Sequence, residues 1–233
     1  MIQSKAMNNE LRIREGIEKY LRDSFKKDSV GLISKLFGES AEYLYAISKI
    51  ETSEYTDYFK SFDLIWVHVN ESYLDKSFIP STQSYGLFAV NEKKSLHLVH
   101  TKPENLTVLL RDDLLREENI KEIPAYILAK LFCDSCLHTK KNWHRVIESF
   151  NDLSEIANSR EGYELAPPVE IEPASISYLV GKRILRFYAL ESWLFQHNQI
   201  SEITVEIKDD FIFNLSKRLF FKKIFTNVPL AKY

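Results

Sequence analysis

SISYLVGKRILRFYALESWLFQHN, residues 175–198, carries the choice between a helical and a sheet-based C-terminal half. Its apolar residues lie so densely that periodicity fits two structures, a buried helix or a hairpin turning near Gly181 and Lys182. The length of the run, and Pro173 standing where a helix starts, favour the helix. Downstream the pattern is cleaner. Ile203, Val205 and Ile207 alternate with Thr204, Glu206 and Lys208, the signature of a strand with one wet face. Asp209-Asp210 then turns the chain into Phe211, Phe213 and Leu215, making a hairpin, and Ser216 is read as opening a short helix that ends before Pro229.

Upstream of the decisive run, residues 158–173 carry Gly162 and the pair Pro167-Pro168 and read as a long connection. Before it the spacing predicts a helical pair across 123–158. Pro124 opens the first helix, on which Leu128, Phe132 and Cys136 stack at intervals of four. Thr139 caps the second, with Trp143, Val146, Ile147, Phe150, Leu153 and Ile156 as its inner face. The stretch from Asn105 to Ile120 fits either strand or acidic helix.

The first fifty residues read as helices. Leu11, Ile17, Leu21 and Phe25 recur near the helical period, Ser29 opens a second run, and Leu44, Ile47 and Ile50 continue the stripe. Phe62 to Asn70 is rich in β-branched and aromatic residues on both parities, which marks a central strand covered on both faces. Tyr85–Val90 and Leu96–Thr101, joined by a polar turn, form a hairpin. The fold expected from these elements is α+β: N-terminal helices, a mixed or antiparallel sheet, a central helical pair and a C-terminal α+β segment. Residues 1–158 form its main part and 174–233 pack on them as one globular unit.

Composition sets the chemical bounds. The chain has 233 residues, 45% of them hydrophobic and 27% charged, which is ordinary for a folded protein. Net charge is −2, so no global field draws in a polyanion. Charge is nevertheless uneven. Seven acidic residues face the single basic Arg160 between Glu148 and Glu172, whereas Phe211–Tyr233 holds five basic residues and no acidic one. This asymmetry suggests a contact within the chain, between copies, or with an anionic partner. Six glycines, none within four residues of another, leave no phosphate-cradling loop or dinucleotide fingerprint, and the common hydrolase and metalloprotease motifs are missing. Two cysteines only, a polar Met1–Asn9 and no long apolar run make the expected setting cytoplasmic, without membrane insertion.

Three groups of residues carry chemistry worth testing. Cys133, Cys136 and His138 are the ligand types of a zinc site, but on a continuous helix His138 points away from the thiols, and buried reduced cysteines are the plainer reading. Glu206 and Lys208 share one face of the predicted strand. The pair resembles that of metal-dependent nucleases of the PD-(D/E)xK type, in which a carboxylate holds a divalent cation and the lysine positions water; here Asp209 and Asp210 follow the pair where that family has an Asp before it. Lys217, Arg218, Phe221, Lys222 and Lys223 interleave cations and aromatics on the predicted helix, a surface suited to nucleic acid, with a packed terminal helix as the alternative. His68 is expected to be a hydrogen-bonded histidine on the central strand. No arrangement requires a cofactor or metal. The expected function is a non-catalytic interaction or regulatory protein with a protein partner or a second copy of itself. The competing expectation is a nucleic-acid-binding protein or a nuclease that uses Glu206 and Lys208.

Overall fold

The computed structural model describes residues 13, 15–17, 43–73, 82–91, 96–100, 102–114, 123–138, 142–158, 164–165, 170–193, 199–222 and 225–226. The chain divides into two compact units, Met1–Leu98 and Val99–Tyr233. Against the expected α+β arrangement, the protein is predominantly antiparallel β, with a four-stranded sheet in the first unit and a five-stranded sheet in the second.

The first unit is built on β1 (Tyr43–Thr52), β2 (Phe62–Tyr73), β3 (Thr82–Asn91) and β4 (Leu96–Leu98), which lie in that order. The central strand stands as expected, and so does the β3–β4 pairing, although β4 ends at Leu98 rather than running on toward Thr101. The N-terminal helices are corrected at β1. There Ile47 pairs with Val69 but Lys49 with His68, so a β-bulge inserts one extra residue between them. Ile47 and Ile50 thus sit opposite Val69 and Val67, positions of equal parity on β2. A spacing of three in a bulged strand mimics a helical stripe. Ile13 and Glu15–Ile17 are helical, and Ile17 is fully buried against Ile65, Val67, Phe88 and Val90. The run from Ser29, the turn 92–95 and Lys223 lie outside the described residues. His68 is half-buried, its Nε2 2.9 Å from Glu51 Oε1.

In the second unit, α1 (Pro103–Leu114) makes the ambiguous acidic stretch helical as far as Leu114, the rest of it lying outside the described residues, and α2 (Ala125–Phe132) starts after Pro124 and ends in a π turn, Cys133–Leu137. The expected partner helix of α2 is replaced by strand β5 (Asn142–Ile147) and helix α3 (Phe150–Asn158). The reason is local. Asp152 Oδ2 accepts the N–H of Glu148 at 2.7 Å and of Ser149 at 3.0 Å, half of a capping box that starts the helix at Ser149 rather than at Thr139.

The remaining strands are β6 (Glu164–Leu165), β7 (Ser175–Leu179), β8 (Lys182–Trp193), β9 (Gln199–Lys208), β10 (Phe213–Lys222) and β11 (Phe225–Thr226). β5, β8, β9 and β10 lie side by side, β7 pairs with the first half of β8, and β11 pairs with β6. The helix favoured for 175–198 is corrected to a hairpin over its described part, residues 175–193. Gly181, at φ +75°, takes the left-handed turn that a residue with a Cβ resists. The cationic C-terminal helix is likewise corrected to strand β10. A bulge between Leu219 and Phe221 brings both Phe220 and Phe221 onto the cluster around Ile147, Leu153, Leu190 and Ile200, and this gave the segment its helical look.

Candidate functional site

One face of the five-stranded sheet is apolar along most of its length. Leu185, Phe187 and Ala189 of β8 and Ile203, Val205 and Ile207 of β9 are all buried. Phe132 of α2 meets Phe213 of β10 edge to face, with ring centres 4.9 Å apart. The two ends of this sheet break the pattern in opposite ways.

At the end where β5 meets β8, the buried face turns polar. His144 lies across the ladder from Glu191, and Glu191 from Gln199. Glu191, with a side chain only 4% exposed, accepts hydrogen bonds from Gln199 Nε2 at 2.7 Å and from the Lys217 ammonium. Lys217 starts two strands away, and the small residues Ala189 and Ser201, paired between them, leave room for its stem. His144 Nε2 stands 3.4 Å from Lys217 Nζ and 3.9 Å from Glu191 Oε1. An ammonium has no lone pair to share, so Nε2 accepts and the ring proton sits on Nδ1. That Nδ1 is buried without a hydrogen-bond partner among the described residues. His138 follows at 6.3 Å between ring centres, and His100 lies 5.5 Å beyond His138.

Electrostatics follow from burial. Burial and then the Lys217 charge push His144 down to about 4, with Glu191 opposing them. Burial also lowers His138, against its backbone hydrogen bond to Cys133. For Glu191, burial acts upward but is outweighed by the hydrogen bonds from Lys217 and Gln199, which hold the carboxylate below its usual range. Burial raises both thiols, Cys133 well above the ordinary range and Cys136 to about 12. Both are therefore protonated near neutrality, the opposite of a reactive thiolate.

Cys133 is buried in the π turn and Cys136 half-buried, while His138 Nδ1 lies 3.5 Å from Asp134 Oδ1. Among the described residues no group of three or more His, Cys, Asp or Glu is placed to hold a metal ion. Glu206 forms a 2.9 Å salt bridge with Lys182, and Lys208, exposed, pairs in the ladder with Lys182 rather than with an acidic residue. Asp209 is turned toward Arg183 at 3.9 Å, and the Asp210 carboxylate accepts the Ile212 N–H at 3.1 Å. Lys217 reaches inward to Glu191, whereas Arg218, on the opposite face, pairs with Glu202. Phe221 packs on the cluster described above; the side chains of Lys222 and Lys223 are outside the described residues.

At the other end of the sheet, apolar side chains face water. The β7–β8 and β9–β10 turns lie side by side because Lys182 pairs with Lys208. The first presents Tyr178 (47% exposed), Leu179 (52%) and Val180 (103%), and the second presents Ile212 (52%). Beneath them Phe211, at φ 62°, is buried under the Arg183 guanidinium, 5.6 Å from its ring centre. A bulky residue in that conformation stores about 1–3 kcal/mol of strain. Reasoning from sequence missed both ends. Glu191 inside an apolar run, and Leu-Val beside a turn glycine, are the signals that point to them. Among the described residues no helix is long and apolar enough to cross a membrane. No protein-family model, curated protein or solved structure matches this chain.

Proposed function

We propose that this protein is a non-catalytic interaction protein that holds a protein partner with the two-hairpin end of its five-stranded sheet. The observation that carries this reading is the exposure of Leu179 and Val180 at one turn and of Ile212 at the next, two turns joined by the Lys182–Lys208 pair. Scattered single apolar residues on a surface need no explanation; several on neighbouring turns mark a binding surface. The strained backbone at Phe211 supports it, because such strain persists where the surrounding structure enforces it and gathers at binding sites. Flanking charge is mixed, with Lys182, Lys208 and Arg183 against Glu206, Asp209 and Asp210, which suits a polar rim around an apolar centre better than a polyanion.

Polyanion binding ranks below this reading, since Lys217 and Arg218 are already engaged by Glu191 and Glu202. The test is to identify the proteins retained by the immobilised chain and then titrate each, purified, against wild type and Val180→Asp. A partner that binds at least tenfold more weakly to the variant supports the reading. Unchanged affinity for every identified partner contradicts it.

A further inference from the structure

The buried cluster on the inner face has a titratable centre that the docking end does not use. His144 is 3% exposed at its side chain, and its Nε2 lies within 3.4 Å of the Lys217 ammonium. Lys217 is a third exposed and leads directly to water. Of the described strands only β9 pairs with β10, so Lys217 crosses the sheet from a strand held on one side.

We propose that His144, Glu191 and Lys217 form an acid-sensitive latch, in which protonation of His144 expels the Lys217 ammonium toward water and loosens β10 from the sheet. The proton that enters on acidification goes to Nε2, the nitrogen that otherwise accepts from Lys217. Two cationic groups then stand at hydrogen-bond distance in a buried site, where repulsion is strong. Glu191 satisfies one of them, and the more exposed lysine is the one free to leave.

The two charges closest to His144 oppose one another. Glu191 comes from β8, Lys217 from β10, and the neutral Gln199 from β9. From the π turn and the residue after it come His138, Asp134 and the protonated Cys133, with His100 beyond His138. α2 contributes Lys130, whose ammonium sits 5.8 Å from the Tyr126 ring centre. On the other face of β5, α3 brings Asp152 and Glu155, with Asp152 committed to its cap. Only Glu191 favours the charged imidazole at close range, and it is shared with Lys217. The depressed proton affinity of His144 agrees with this geometry.

Amide hydrogen exchange in β10, corrected for the intrinsic pH dependence of exchange, tests the latch on the full chain. Between pH 8 and pH 5 the open population of Leu215–Leu219 should rise about tenfold in wild type, and stay level in His144→Gln. His138→Gln should retain the wild-type response. Protection in β10 that ignores pH, or a response that survives in His144→Gln, overturns the proposal. Should His144→Gln not fold, the wild-type imidazole titration by NMR decides: a His144 that stays neutral far below pH 6.5 supports the latch, and one that titrates near 6.5 overturns it.

Discussion

The two ends of the five-stranded sheet invert the ordinary rule in opposite directions. One end buries a carboxylate and an imidazole and holds a partly exposed ammonium group against them; the other exposes leucine, valine and isoleucine. Between them the strands carry the expected alternation, with Ile203, Val205 and Ile207 inside and Thr204 and Glu206 toward water. A buried charge network restricts the geometry of the sheet and responds to pH, whereas an exposed apolar end has something to gain from a partner.

The largest expected effect falls on the buried end. Lys217→Ala strips Glu191 of its cation and should cost about 3–5 kcal/mol of unfolding free energy in chemical denaturation. Replacing both partners, as Lys217→Met with Glu191→Leu, should recover most of that loss, because the uncompensated charge is gone. If the single and double variants are equally unstable, the cluster is not held by this pair.

Acid should act on the same end. His144 is lowered in the folded protein, so below pH 6.5 the unfolded chain takes up a proton that the folded one refuses until about pH 4. Stability is thus complete above pH 6.5 and lost as pH falls toward 4, by about 2 kcal/mol after allowing for partial screening by solvent. His138 adds in the same direction, and Glu191, held below its usual range, adds a further loss at the acid end of the window. Denaturation midpoints measured at intervals across this range check the sign, and a midpoint constant from pH 7 to 4.5 contradicts it.

Smaller effects sharpen the docking end. Gly181→Ala places a Cβ at φ +75° and should cost about 1 kcal/mol by strain, since the nearest atom to that Cβ, Asp209 Oδ2, lies 3.9 Å away and does not clash. Smallest of all, Val180→Asp should change stability by less than about 0.5 kcal/mol, because the side chain is fully exposed. A large thermal shift in that variant would mean that Val180 supports the fold rather than a partner.

How much of this was legible in the sequence depended on where the chain kept its register. The β9 strand and the Asp209-Asp210 turn follow from strict alternation, and β2 from its unbroken apolar run. β1 and β10 were not legible, because each carries a bulge that converts a period of two into an apparent period of three or four. At residues 175–198 a single glycine outweighed length and density, since φ +75° is a backbone demand that hydrophobic periodicity does not report. In the segment that follows α2, Ser149-x-x-Asp152 marked the helix start, but the apolar stripe running from Trp143 to Ile156 masked it. The candidate site was hidden for a further reason. Glu191, Gln199, Lys217 and His144 come from four strands, and only the ladder pairing brings them together.

The docking end is tested by the footprint of an identified protein partner, read as the change in amide hydrogen exchange when it binds the full chain. Binding should bring new protection over Tyr178–Gly181 and Asp209–Ile212, with the outward face around Thr204 and Ser216 unchanged. Protection centred on that outward face, or confined to the unit Met1–Leu98, would contradict it.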